Sequence, residues 1–326
     1  MPVATSEGAW ELKAHDRLTL WANSPEAGLA LDNSQGRGFW NLTASWENCM
    51  AGAFVATPEG VVAGTSRDGS AIATTLNLQP GVTQRWSLKP NVSGAYRFAV
   101  VSGTGVPGAQ PLHARFARDA AARGVGFAIH LGDGVEAGAN KGAAAFRERL
   151  RAHAFPTYCL PGRQELAASG GRAAWSRLFG NLPIVFRIGQ DHFLLVDNAA
   201  GHLSPAQERW LQATLDQAVK AKARRVFVFA HRPLVDVRPG FNQGMQDINQ
   251  VRRLLKLFGG SHVDTVFGGR IGVFASERRR GIRLVTSAGG GTRLGAPPAR
   301  GGYHHWVRVD VPAEGPATIT AERLVP

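Results

Sequence analysis

The fold class of this chain is most clearly indicated by residues Val125-Gly-Phe-Ala-Ile-His-Leu131-Gly132-Asp133-Gly134-Val135-Glu136. Its first seven residues are mostly apolar, which is typical of a strand buried on both faces of a parallel sheet. Asp133 follows between two glycines, directly after that strand. The sequence therefore predicts an α/β domain that carries polar residues at the ends of its strands.

The alternation of strands and helices continues on both sides of this stretch, from about residue 95. Apolar strands are predicted at Tyr96–Val101, Val226–Ala230 and Val263–Phe267, and a helix over about 111–123. The residues Ser204-Pro205-Ala-Gln207 supply the N-cap serine, first-turn proline and glutamine that begin a further helix. The last strands of the domain are predicted at residues 282–288, 305–311 and 317–323, and we expect them to be antiparallel.

The first part of the chain has a different pattern. Short segments such as Trp10–Ala14 and Ala71–Leu78 alternate between apolar and polar residues and predict β-strands. Five of the eight tryptophans lie in this part, so an aromatic core is expected there. We therefore expect a small all-β sandwich over residues 1–92 and a second domain over residues 93–326.

Five motifs follow the predicted strands in order: Val101-Ser-Gly103-Thr-Gly105, Leu131–Glu136, Leu160-Pro161-Gly162-Arg163-Gln164-Glu165, Phe229-Ala230-His231-Arg232-Pro233-Leu234 and Phe267-Gly268-Gly269-Arg270-Ile271-Gly272. In spacing and strand context they resemble the calcineurin-like metallophosphoesterases, and within them the purple acid phosphatase branch. The resemblance covers about residues 96–312 and implies a four-layer α/β/β/α domain. Residues 78–88 resemble part of a fibronectin type III domain, which usually precedes the phosphoesterase domain in that branch.

The resemblance implies two metal ions, held at strand ends by carboxylate, amide and imidazole ligands, that polarise a phosphoryl group. Asp133 stands at the bridging-ligand position, His231 at a second ligand position, and Glu136 where the family often has a tyrosine. The other positions depart from the family pattern: Gly103 stands for an aspartate, Arg163 for an asparagine, Gln164 for a phosphate-contacting histidine, and Arg270 and Gly272 for two histidines.

These departures predict that the dinuclear centre is lost. Glycine has no side-chain ligand, and a protonated arginine cannot bind a metal ion. Two unit charges about 4 Å apart interact by about 4 kcal/mol at an effective dielectric of about 20, so arginines would repel a divalent cation. We therefore expect no cofactor. The alternative is a single divalent metal on Asp133, Glu136 and His231, because three ligands and a water suit catalytic zinc.

Two interpretations of the altered pocket stay open. In one, Asp133 pairs with Arg163, Arg270 or both, and the pocket is an internal ion-pair network. In the other, the guanidinium groups replace the metals as positive charge and bind a phosphate or carboxylate, with His231 and Arg232 at the rim.

The charge of the chain favours an anionic partner. The formal net charge is +13, and residues 1–90 contribute 6 basic and 8 acidic residues, so the positive charge belongs to the remainder. Such a field attracts anionic ligands and surfaces. Nucleic acid is a weaker candidate, because no recognised binding motif occurs and the longest basic run is Arg278-Arg279-Arg280.

The sequence as a whole predicts a pseudophosphatase rather than an enzyme, acting as a binding or scaffold subunit with a protein partner in a larger assembly. Two alternatives stay open: a phosphoester hydrolase with a rearranged mononuclear site, and a metal-free binder of a phosphorylated or other anionic ligand. No apolar run reaches the ~20 residues of a membrane span. No signal peptide is visible, so we expect the cytoplasm or an organelle interior unless the chain is a processed exported form.

Overall fold

The computed structural model describes residues 3–136, 142–168 and 170–325. These residues form six helices and twenty strands, and the strands belong to four sheets. None of the six helices is long and apolar enough to cross a membrane. The structure is therefore of the mixed α/β class, as the sequence predicts.

Residues 3–89 contain β structure only, among the residues described, and form two sheets. The first has the order β1 (Val3–Ser6), β4 (Gly28–Asp32), β9 (Thr83–Lys89), β6 (Phe54–Ala56), and the second has the order β2 (Ala9–Ala14), β3 (Arg17–Trp21), β5 (Trp40–Glu47), β8 (Ala71–Leu78), β7 (Thr65–Asp68). Leu29 and Leu31 of the first sheet share one hydrophobic cluster with Leu42 and Trp46 of the second. The prediction of an all-β first part is confirmed.

The rest of the chain forms two further sheets. The five-stranded sheet has the order β12 (Thr157–Cys159), β11 (Phe127–His130), β10 (Tyr96–Val101), β19 (His305–Val311), β20 (Thr318–Arg323). The six-stranded sheet has the order β13 (Ile184–Ile188), β14 (Asp191–Val196), β15 (Arg225–Ala230), β16 (Thr265–Gly268), β18 (Ile282–Ser287), β17 (Phe274–Arg279). Strands β10 to β12 are parallel, as are β14, β15, β16 and β18.

The helices are α1 (Gln110–Ala122), α2 (Gly142–Arg151), α3 (Arg163–Ala167), α4 (Gly171–Phe179), α5 (Pro205–Lys220) and α6 (Ile248–Gly260). Helix α5 begins as predicted, because the hydroxyl of Ser204 accepts from the amide of Gln207 at 3.2 Å. The prediction that β18 forms an antiparallel group with the last two strands is wrong. Strand β18 lies parallel to β16 and antiparallel to the unpredicted β17, whereas β19 and β20 pair in the other sheet.

Phenylalanine side chains join the two sheets of the second part. The ring of Phe98 on β10 lies 5.3 Å from that of Phe193 and 5.5 Å from that of Phe227, both on the other sheet. Such edge-to-face pairs add stability beyond the area they bury. Helix α1 packs through Phe116 against Trp306 at 5.7 Å, while α5 and α6 share a hydrophobic cluster with β15. The sheets are therefore held face to face, and the ends of β11 and β15 meet.

Asn48 connects the first part of the chain to the second. Its Nδ2 donates to the carbonyls of Ala22 at 2.8 Å and Thr157 at 3.0 Å, and its Oδ1 accepts from the amide of Thr157 at 2.8 Å. Thr157 lies on the edge strand β12 and is buried. One asparagine amide thus pairs with a strand edge that would otherwise hold unsatisfied buried groups.

Candidate functional site

Asp133 lies in a tight turn directly after β11. It has φ 55 and follows Gly132 with φ 91, so both residues are left-handed. Aspartate and asparagine tolerate this conformation better than most side chains do. Asp133 is only 8% exposed.

Glu165 holds this turn against the start of α3. Its carboxylate accepts backbone N–H from Asp133 at 2.9 Å, Gly134 at 2.6 Å, Val135 at 2.9 Å and Gly162 at 2.6 Å. Burial raises the pKa of Glu165 to about 7, and the charge of Asp133 adds to the rise, whereas the amide hydrogen bonds lower it. Four donors on two oxygens favour the carboxylate. Glu165 therefore fixes the position of Asp133 without facing solvent.

His231 follows β15 and is fully buried. Its Nδ1 lies 2.8 Å from the carbonyl oxygen of Leu131, and its Nε2 lies 3.3 Å from the amide of Arg163. A carbonyl only accepts and an amide only donates, so this network assigns the proton to Nδ1 and the lone pair to Nε2. Burial lowers the pKa of His231, although Asp133 opposes that shift. The imidazole is therefore neutral.

Backbone amides occupy the two ligand positions that the sequence retains. The amide of Arg163 donates to His231 Nε2, and the amide of Gln164 donates to Asp133 Oδ1 at 3.0 Å. These are the first two amides of α3, which have no partner within the helix. The lone pairs that would face a metal ion thus satisfy a helix terminus instead.

The residues present do not fit a dinuclear metal centre. Gly103 has φ 75, and a Cβ there would lie 2.9 Å from Cβ of Thr292. A Cβ on Gly272 would overlap the carbonyl oxygen of Arg293, because residues 293–295 run against this glycine. Backbone therefore fills the place where the resemblance expects a histidine.

The mononuclear alternative also lacks its third ligand. Glu136 is exposed. No three His, Cys, Asp or Glu side chains are placed to hold a metal ion within residues 3–136, 142–168 and 170–325. Asp133 and His231 are brought together by the structure, and Glu136 does not join them.

Arg163, Arg232 and Arg270 surround Asp133 without pairing with it. The expected ion-pair network is wrong, because among the described residues the only basic side chain within ion-pair distance of Asp133 is His231, at 3.7 Å. Burial lowers the pKa of Arg270. The charge of Asp133 opposes this shift, and the charge of Arg163 adds to it. The three side chains are therefore close enough to interact electrostatically.

Arg232 belongs to the same positive group. It is 7% exposed, and burial lowers its pKa, with further lowering from Arg270 and Arg163. Its guanidinium makes only long hydrogen bonds of 3.4 Å, to the carbonyls of Ala199 and Gly244. Within the described part of the chain, none of the three arginines forms an ion pair with a carboxylate. The pocket therefore has an excess of positive charge.

Two residues next to Asp133 and the arginines each have a buried polar atom without a hydrogen-bond partner among the described residues. These atoms are Oε1 of Gln164 and Nε of Arg270, an acceptor and a donor. An unsatisfied buried polar atom costs about 1–3 kcal/mol. A polar ligand or ordered water that bonds either atom would remove its cost.

Sequence reasoning missed the role of Glu165. The available signal was an acidic residue directly after Arg163 and Gln164, where the resembling family also has an acid. His130, by contrast, is a core histidine whose two ring nitrogens both have partners. It is fully buried, with Nε2 2.9 Å from Thr104 Oγ1 and Nδ1 accepting from the amide of Gly132 at 3.2 Å.

Comparison with known proteins identifies the fold. No family model matches the chain, and no curated protein matches it. The structure of a purple acid phosphatase from yellow lupin (Lupinus luteus) seeds is similar, with a TM-score of 0.59 and 15% identity over 97% of this chain and 72% of that chain. The structure of GAP50, described as the anchor in the inner membrane complex of Plasmodium, is similar with a TM-score of 0.50 and 15% identity over 71% of this chain and 89% of that chain. The chain therefore has the calcineurin-like metallophosphoesterase fold, and at these identities the likeness concerns the fold alone.

Proposed function

We propose that this chain is a catalytically inactive pseudophosphatase that acts as a binding or scaffold subunit with a protein partner. The observation that carries the proposal is the use of the two retained ligand atoms, His231 Nε2 and Asp133 Oδ1, by backbone amides. A metal ion on His231 Nε2 would have to displace its hydrogen bond from the amide of Arg163, whereas Oδ2 of Asp133 accepts no hydrogen bond from the described residues. It would also lie close to three arginine charges, which repel cations.

A hydrolase with a rearranged mononuclear site is less well supported. Glu136 is exposed, and Gln164 stands where the family has a histidine that contacts phosphate. An amide side chain does not titrate, so Gln164 cannot serve as a general acid or base. Within the described residues, Asp133 and His231 are therefore not joined by the further ligands and titrating groups that metal-assisted phosphoester hydrolysis uses.

The proposed organisation is a fibronectin type III-like sandwich over residues 1–92 and a four-layer α/β/β/α domain over residues 93–326. The shared core of the two N-terminal sheets and the Phe98 contacts between the two larger sheets support it. The scaffold role is supported by the occurrence of this fold in a protein described as an anchor. Fold alone does not give function, so the role needs its own test.

The test is the metal content and phosphatase activity of the purified chain after growth with iron, zinc and manganese. We expect less than about a tenth of a metal ion per chain, because binding would have to release the amide contact of His231 Nε2 and act against three arginine charges. Hydrolysis of p-nitrophenyl phosphate should equal that of the Asp133→Asn variant. One or two tightly held metal ions per chain, with activity that Asp133→Asn abolishes, would overturn the proposal.

The second candidate function is metal-free binding of a phosphorylated or other anionic ligand in the same pocket. The unpaired Arg163, Arg232 and Arg270 and the two unsatisfied buried atoms favour it, because guanidinium forks match phosphate oxygens. Inorganic phosphate at low ionic strength is the probe. Binding that Arg163→Gln and Arg270→Gln weaken, but Arg209→Gln on the exposed face of α5 does not, would support this candidate. Equal affinities in all variants would exclude it.

A further inference from the structure

A second concentration of arginines lies at the other end of the six-stranded sheet. A cavity of about 340 Å³ opens there between the end of α6, the start of β16 and the β17–β18 hairpin. Strand β16 begins at this cavity with Thr265 and ends at Gly268, two residues before Arg270. The cavity is therefore separate from the pocket around Asp133, and none of its lining residues belongs to that pocket.

The lining combines accessible apolar side chains with exposed cations. Pro316, which is exposed, and Ala317, which is half-buried, form its apolar floor, whereas Arg278, Arg280 and His262 are exposed at its rim. The apolar floor can bury a flat ligand surface while the rim contacts charged groups. The run Arg278-Arg279-Arg280, the longest basic run in the sequence, thus lies largely at one cavity.

The hairpin places two of these cations directly opposite each other. Arg280 with φ 52 and Gly281 with φ 82 form its two-residue turn, and Arg278 pairs in register with Arg283. Directly opposite residues have Cβ atoms only about 4.5–5.5 Å apart, and like charges in that position destabilise a sheet. The hairpin therefore carries a repulsion that an anion between the two side chains would relieve.

No carboxylate in the described part of the chain neutralises these arginines. Arg279, on the other face of β17, pairs with Glu277 at 2.8 Å. Arg278 bonds only the carbonyl of Gly281, at 3.2 Å. Asp264 lines the cavity, but its Oδ2 accepts from the amide of Val226 at 2.8 Å and forms no ion pair with the rim.

We propose that this cavity binds a small phosphorylated ligand with a flat apolar part, the class to which nucleoside monophosphates belong. Arg278 and Arg283 contact the phosphoryl oxygens, because two guanidinium forks match a phosphate and its charge offsets their repulsion. The flat part lies on Pro316 and Ala317, the apolar lining residues that are open to solvent. The volume lies at the lower end of the range of small-molecule pockets, which suits one nucleotide.

The experiment is calorimetric titration of the full chain at low ionic strength with AMP, inorganic phosphate and adenosine. We expect AMP to bind more tightly than either of the other two. Arg278→Gln and Arg283→Gln should each weaken AMP binding by about tenfold or more, as expected for loss of a charged hydrogen bond. Arg209→Gln is the matched control and should leave AMP affinity unchanged. Arg163→Gln reports separately on the pocket around Asp133.

A second measurement, thermal unfolding, tests the like-charge pair both without ligand and with AMP. Without ligand, Arg283→Gln should raise the thermal midpoint, because it removes the like-charge pair. AMP should raise the midpoint of the wild-type chain but not that of the variant. Equal affinity for AMP and adenosine, unchanged affinity in both hairpin variants, or loss of binding in Arg163→Gln alone would overturn the proposal. The last outcome would instead support the anion-binding candidate around Asp133.

Discussion

His231 Nε2 lies 3.7 Å from Oδ2 of Asp133. This distance is too long for a hydrogen bond but short enough for strong electrostatic coupling. Each group instead bonds a backbone amide of α3, and each is oriented by a further contact, His231 by the carbonyl of Leu131 and Asp133 by the turn that Glu165 holds. The pair is therefore rigid, with a neutral imidazole beside a carboxylate.

Asp133→Asn tests the electrostatics of this pair. Asparagine keeps the acceptor for the amide of Gln164 and tolerates φ 55, so the substitution chiefly removes one negative charge. We expect the pKa of His231 to fall further, because Asp133 is the charge that raises it. Phosphate affinity of the arginine pocket should rise by about tenfold, since a repelling carboxylate is gone.

NMR titration of the His231 ring and calorimetry with phosphate check these two effects. The control is Asp216→Asn on the exposed face of α5, which should change neither quantity. A lower phosphate affinity in Asp133→Asn would contradict the placement of the anion among Arg163, Arg232 and Arg270.

Glu165→Gln should destabilise the protein by about 3 kcal/mol or more. The substitution replaces one acceptor oxygen by an NH₂ group that faces two backbone donors, and hydrogen bonds to a charged group contribute about 1.5–3 kcal/mol each. Urea unfolding near pH ~8, above the pKa of about 7, measures the change. Glu148→Gln, at an exposed pair with Arg151, should change stability by less than about 1 kcal/mol. A cost for Glu165→Gln below that of the control would mean that the Glu165 carboxyl is already protonated.

The strands that carry the motifs could be predicted because their signals are local. An apolar run that ends in glycine identifies β11, and the Ser204 cap identifies the start of α5. Helix α6 was missed although Asp247 caps it and Val251, Leu254 and Phe258 recur at helical spacing.

The rest of the site depends on contacts between distant segments. The sequence shows Glu165 as one acidic residue, and nothing local indicates that its carboxylate accepts from four amides of two loops. The strands that flank β18 are likewise set by how the sheet assembles, not by the residues of β18 itself. The sequence shows that Gly272 is not a ligand. It does not show that the backbone of Arg293 takes up the space.

Gly272→Ala tests that close approach. We expect a loss of about 1–3 kcal/mol, because the new methyl group overlaps a backbone carbonyl that can move only with its segment. Gly64→Ala is the control, since nothing lies near its Cβ position and its φ is ordinary. Chemical denaturation of both variants measures the difference. If Gly272→Ala is as stable as Gly64→Ala, residues 293–295 can move away at little cost. The position where the resemblance expects a histidine ligand would then accept a side chain.

A buried histidine pair predicts loss of stability in acid. Nε2 of His113 lies 3.0 Å from Nε2 of His153, whose Nδ1 lies 3.1 Å from Thr157 Oγ1. Burial, with repulsion from His153, lowers the pKa of His113 to about 3, and burial lowers that of His153 to about 4. Both pKa values lie below the ordinary value of 6.5. At a pH between the lowered and the ordinary values, the unfolded chain therefore binds more protons than the folded chain. This contribution is fully present above pH 6.5 and is lost as pH falls towards 4.

The unfolding free energy should therefore fall by up to about 1.4 kcal/mol per pH unit for each such histidine. His130, His231 and His305 act in the same direction, while the raised pKa of Glu165 acts in the opposite one. The difference in slope between the wild type and a variant is therefore a more specific test than the slope of the wild type alone. His153→Gln should reduce the slope by about one proton, because it removes one titrating group. The exposed His202→Gln should leave it unchanged. Equal slopes in wild type and His153→Gln would mean that His153 is already charged, or already exposed, in the folded chain.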